Sequence, residues 1–191
     1  MAQTFKMYIT TKVTNRYGKT VYKKTRACHS LVLAFLQILE VQLYPSSGVS
    51  IKDSSGSDNV TVDNAASFNA EGGATQVAWG IVVGTGSTPQ ANDDYVMETL
   101  IAHGSGATQL NYGATSKVAA QVVGGNVDFV LQRTFVNGSG GTINVTEFGI
   151  YMSSNTGSGT DYNLGMHDVV GAVAVLNGQT LTVTYTFRTT A

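Results

Sequence analysis

The alternation along Thr180–Arg188 limits the fold of this chain more than any other feature. Leu181, Val183, Tyr185 and Phe187 fall on one side and Thr182, Thr184 and Thr186 on the other, the period of a strand with one face in a core and one in water. From Val77 onward the chain repeats this theme as short strand-like segments joined by glycine-rich turns. Gln76–Val83, Gln109–Val122 (broken at Gly113), Asn126–Phe135, Thr142–Met152 and Asp168–Leu176 read as further strands, Gly84–Asp94 as a loop, and Tyr95–His103 as a short helix or extended segment. Turn signals at Gly124-Gly125, Asn137–Gly141 and Asn177-Gly178 have the spacing of a sandwich or jelly roll.

The first 44 residues follow a different plan. Phe5–Thr14 and Lys19–Cys28 are extended segments rich in Thr, Tyr and Val around Asn15-Arg16-Tyr17-Gly18, which predicts a β-hairpin with glycine at a left-handed position. Ser30 then suits an N-cap, and Pro45 ends the helix it opens at about Tyr44. Leu31, Leu33, Phe35, Leu36, Ile38, Leu39, Val41 and Leu43 make that helix apolar on nearly every side. Such a helix is buried under a sheet or in a subunit interface, so homo-oligomerisation is expected.

At 191 residues the chain is long enough for a sizeable core, and one domain is the expectation. It divides into residues 1–44, a basic hairpin plus helix within the same domain, 45–75, a polar loop or insertion, and 76–191, a β-sandwich. The fold class is therefore mainly β: an antiparallel β-sandwich or jelly-roll-like domain with an N-terminal hairpin and one buried helix. The polar loop is either an interaction surface ordered by a partner or an uncommitted insertion. Lone Cys28 allows no internal disulfide and carries no metal spacing, so it reads as a small buried hydrophobe.

Charge is distributed unevenly. Lys6, Lys12, Arg16, Lys19, Lys23, Lys24 and Arg26 all precede the first acid, Glu40. Two readings stand: a basic surface that docks on an acidic partner or nucleic acid, or a solvated hairpin whose lysines discourage edge pairing. The scattered aromatics form no row with interleaved lysines, which argues against nucleic acid. Met1–Thr11 lacks the apolar run of a secretory signal, so synthesis in a cytoplasm is expected. Leu31–Tyr44, interrupted by Gln37, Glu40 and Gln42, falls short of a membrane span.

No residue pattern assembles a catalytic or cofactor site. Val83-Gly84-Thr85-Gly86-Ser87-Thr88-Pro89 starts like a nucleotide loop, but Pro89 replaces the third glycine and no lysine follows. Gly84 and Gly86 are accordingly read as turn residues. His29, His103 and His167 are far apart and have no neighbouring ligand at metal spacing. His167-Asp168 lacks a nucleophile elbow. Asp93-Asp94 with Glu98, and the oxygen-rich Asp53–Asp63 loop, lack an EF-hand pattern. Asp93 or Asp94 instead caps the segment from Tyr95, with Glu98 completing a capping box. Trp79, Phe129, Phe135, Phe148 and Tyr185 are candidate core residues, and the sequons at Asn59, Asn137 and Asn144 carry little meaning without secretion.

Two stretches are distinctive together. One is Trp79–Pro89 with Asp93-Asp94-Tyr95 and Leu100–Gly104; the other is Arg133–Gly140 with Ile143–Tyr151. Over roughly Val77–Thr189 they resemble a group of tailed-bacteriophage virion proteins, found among head-decoration, collar and tail-associated components. The resemblance implies a non-enzymatic structural protein of the virion without a cofactor. A capsid decoration or cement protein bound to the major capsid protein is the leading expectation, and a collar, neck or tail piece the next. A carbohydrate-binding adhesin is a further alternative, needing exposed aromatics near polar loops. Within the second stretch, Ile143 and Val145 share one face while Phe148 and Ile150 share the other, predicting a bulge near Gly149. Glu147 would then pair with Arg133 across one hairpin.

Overall fold

The computed structural model describes residues 4–28, 31–43, 49–57, 60–62, 69–155 and 160–190. In chain order these form β1 (Thr4–Thr14), β2 (Thr20–Ala27), α1 (Leu33–Leu43), β3 (Val49–Ile51), β4 (Val60–Val62), β5 (Gly80–Gly84), β6 (Asn111–Tyr112), β7 (Ser116–Val123), β8 (Asn126–Val136), β9 (Ile143–Asn155), β10 (Thr160–Val175) and β11 (Thr180–Thr190). The chain is mainly β, every strand pairing is antiparallel, and α1 is the one α-helix among the described residues. The larger sheet runs β2-β1-β11-β8-β6, with β7 also on β8; the smaller runs β10-β9-β5. The short β3–β4 pair lies within the polar 45–75 stretch.

The hairpin forms where its sequence places it. Gly18 takes φ 79°, and the Asn15 side-chain oxygen accepts the Tyr17 and Lys19 amides at 3.0 Å, the Asx geometry that makes asparagine a turn former. Within the larger sheet Ile9 stands opposite Tyr185 and Val13 opposite Leu181, so β1 and β11 turn matched apolar faces inward. Those side chains share one core with Ile81, Val83, Phe148, Ile150 and Leu164 of the smaller sheet. Residues before and after position 76 thus build the same sheet.

Several expectations need correction. β8 and β9 do not form a hairpin: β8 lies between β11 and β6/β7, whereas β9 lies between β10 and β5. The Asn137–Gly141 turn therefore passes the chain from one sheet to the other. The bulges fall on β10, at Leu164/Met166 and Val169/Val173, and Gly149 stays in register with both Val82 and His167. No bulge is needed on β9 because residues 147–152 are buried on both faces. A strand that begins at Thr160 replaces the expected Asp168 start. Tyr95–His103 is neither helix nor strand; it belongs to an irregular segment, residues 85–110, that covers the far face of β9.

The helix is less buried than its composition predicts. Ala34, Ile38 and Val41 face the core, while Leu33 and Leu36 are about half exposed, at 53% each, and Leu43 is 76% exposed. Its predicted cap, Ser30, lies outside the described residues; the Leu33 amide instead donates to the Asn92 carbonyl at 2.7 Å.

Candidate functional site

Glu147 lies on β9 with no solvent exposure. Its Oε1 accepts the Glu98 amide at 2.5 Å and its Oε2 the Gly86 and Thr99 amides at 3.1 Å. His167 of β10 completes the set. Its Nε2 lies 2.9 Å from Glu147 Oε1 and its Nδ1 2.6 Å from Asp94 Oδ2, and Asp94 also accepts the Ala91 amide at 2.7 Å. The result is a buried carboxylate–imidazole–carboxylate chain linking two strands to the covering segment.

The local electrostatics favour charge on the ring. Burial pushes the His167 pKa down, but hydrogen bonds to Glu147 and Asp94 and their negative charge outweigh it, so the pKa stands above the usual 6.5. Burial likewise pushes the Glu147 carboxyl up, and the His167 contact with three backbone amides reverses this, holding it below the usual 4.5. An imidazolium between two carboxylates is the state that satisfies every donor. Both ring nitrogens are then committed, leaving none to take a proton from a substrate.

Gly84 and Gly86 are not the turn residues expected from the sequence: Gly84 ends β5 and bridges Leu100, and the Thr85 amide donates to the Thr99 carbonyl, so the stretch is extended and its glycines answer to Glu147 instead. A Cβ on Gly86 would stand 2.6 Å from both the Glu147 carboxylate and the Glu98 Cβ, and one on Gly84 would collide with the same carboxylate. Glu98 does not cap a helix; its Oε2 accepts the Ser87 and Thr88 amides at 2.7 and 2.8 Å, tying down the chain just after Gly86. These amides hold its carboxyl below the usual range. Gly149 makes room in the same way, since a Cβ there would meet Met97 Sδ at 2.8 Å.

Arg133 builds a second node and does not touch Glu147. Its five N–H groups reach five backbone carbonyls: Nε to Gly113 at 2.7 Å, Nη1 to Ile81 at 2.8 Å and Trp79 at 3.4 Å, and Nη2 to Gly73 at 2.7 Å and Gln76 at 2.6 Å. The guanidinium lies 4.9 Å from the Tyr112 ring centroid. Trp79 and Ile81 offer these carbonyls along the open edge of β5, and the next one, of Val83, accepts the Ile101 amide. A side chain from the larger sheet thus closes an edge of the smaller one, where unpaired backbone would otherwise be buried.

The basic residues are not gathered on one face. Lys12 and Lys23 stand directly opposite each other and share a face, whereas Lys24 and Arg26 oppose Thr11 and Ile9 on the other. Arg16 lies within the hairpin turn, 4.9 Å from the Tyr17 ring, Lys19 follows it, and Lys6 is exposed opposite Arg188 of β11.

Buried Cys28 donates to Asp168 Oδ2 at 2.6 Å. His103 accepts the Tyr112 amide; His29 and Asn59 lie outside the described residues. Asn137 is fully buried, and its side-chain amide donates to the Val175 and Gly141 carbonyls, so that sequon is committed to the fold.

Among the described residues, no three His, Cys, Asp or Glu side chains are grouped to hold a metal ion, and no helix is long and apolar enough to cross a membrane. An apolar cavity of about 510 Å³ is lined by Phe129, Leu131, Phe187, Ile150, Met152 and Met166, among others; Glu147, His167 and Arg133 are not in its wall. The Glu147 node was invisible to sequence reasoning because Gly86, Asp94, Glu98 and His167 meet it from 20 to 61 positions away. The one available signal was that the two distinctive stretches occur together. Comparison of the chain with family models, curated proteins and solved structures returns no match.

Proposed function

We propose that this chain is a non-enzymatic structural subunit of a tailed-phage virion, serving as a decoration or cement protein on the major capsid shell. The observation that carries this reading is the use made of the buried charges: Arg133, Glu147 and His167 all hold backbone or each other. Groups placed this way rigidify a scaffold, and a rigid scaffold is what a shell subunit needs to spread load across its contacts. The two distinctive stretches support the same reading, since Gly84, Gly86, Asp94, Glu147 and Gly149 meet at one node and Arg133 forms the other. In this proposal the two sheets are the layers of an open β-sandwich, and the hairpin lysines contact neighbouring virion proteins.

The test is quantitative mass spectrometry of purified particles. A ratio to the major capsid protein near one, or a simple fraction of it, is expected. A ratio of a few per cent would move the protein to the neck or tail, and its absence from particles would overturn the virion reading.

A further inference from the structure

The two open edges of the larger sheet are built differently. At one edge, β2 exposes Lys23 and Lys24, and Lys23 faces Lys12 across the ladder. At the other edge, β7 reads Ser-Lys-Val-Ala-Ala-Gln-Val-Val with all eight residues exposed. It pairs with β8 alone, and none of its residues makes a backbone hydrogen bond outside the strand ladders among the described residues. Val118, Val122 and Val123, with Val127 of β8, are exposed large hydrophobics, Val122 at 76%. The bulge between Val118 and Gln121 turns Val118 and Val122 to opposite faces, so a strand laid along this edge meets valine on both sides.

We propose that β7 is a self-association edge that pairs antiparallel with β7 of a second copy of this chain about a twofold axis. Charge selects the occupant. Pairing β2 with β2 about its middle would set Lys23 against Lys24, like charges directly opposite, which is destabilising. β7 carries a single charge, Lys117. Pairing centred between Ala119 and Ala120 sets Lys117 opposite Val122 of the other copy, and the two lysines stay apart. A charged partner would find only that one lysine to recognise, whereas a second copy offers the same neutral, valine-rich edge. The isologous contact brings together the valine patches of both copies and extends the sheet across the axis through both copies of β8 and β11.

An edge ladder of this length lies at the small end of specific interfaces, giving a dissociation constant on the order of micromolar. The inference stands apart from the virion reading, since a dimer of this kind can exist with or without a shell.

Sedimentation of the full chain from roughly 1 to roughly 300 μM tests it. A concentration-dependent dimer is expected, and Val122→Lys, at an exposed site, should raise its dissociation constant roughly tenfold or more, with the circular-dichroism melting curve of the monomer, recorded well below the dissociation constant, unchanged. Lys23→Ser on β2 should leave dimerisation as it is. Hydrogen exchange adds a readout independent of any variant: the amides of residues 118–123 should gain protection as concentration rises. A protein monomeric throughout, a dimer indifferent to Val122→Lys, or concentration-dependent protection confined to other strands would each overturn the proposal.

Discussion

Glu147 and His167 are the residues whose removal says most about how this molecule holds its covering segment. His167→Ala leaves Glu147 buried without a counter-charge, whereas Glu147→Ala leaves His167 paired with Asp94 alone and strips three backbone amides of their acceptor; each should cost about 3–5 kcal/mol by urea denaturation. A double-mutant cycle on this pair should show coupling of about 0.5–3 kcal/mol, because the groups share one hydrogen bond and one charge balance. Arg133→Ala combined with Glu147→Ala should instead be close to additive, since their partner sets do not overlap.

The same pair sets a pH window. His167 is held above 6.5, so its contribution is complete below about 6.5 and disappears as pH rises through the elevated value. Glu147 is held below 4.5, so its contribution is complete above about 4.5 and disappears as pH falls through the depressed value. Stability measured against pH should therefore be highest between these limits and decline on the alkaline side, and His167→Gln should remove that alkaline decline.

At the scale of elements, the helix and the hairpin contrast. The hairpin was legible because its information is local: Asn15 and Gly18 satisfy a turn regardless of what lies elsewhere. The helix was legible as a helix but not in its orientation. Its leucines encircle the axis, so composition alone could not say that Ile38 is fully buried while Leu43 is mostly exposed. Ile38→Ala should cost about 2–5 kcal/mol, and Leu43→Gln should stay within about 0.5 kcal/mol, both read from denaturant midpoints. Residues 85–110 were the least legible. Their backbone is fixed by Glu147 and Tyr151, neither of which is near in sequence, so no local period reports their shape.

For the whole molecule, Arg133 joins the two sheets through β5. Arg133→Met removes all five hydrogen bonds while keeping much of the side-chain volume. We expect it to lower global stability by about 3–5 kcal/mol and to raise hydrogen exchange in β5 and residues 72–79 more than in β1 and β11. Equal loss of protection across both sheets would show that the joint is not confined to that edge.

The sequence by itself determined the strand periodicity, the N-terminal hairpin, the existence of one helix and the placement of most turns, because side-chain alternation and turn chemistry act over a few residues. Only the tertiary structure decided that β8 and β9 part into different sheets, that Arg133 serves backbone carbonyls rather than Glu147, and that Glu147 gathers Gly86, Asp94, Glu98 and His167. Those outcomes depend on which faces meet across the core. A buried charge takes whichever partners the packing brings to it, and sequence separation sets no limit on that choice.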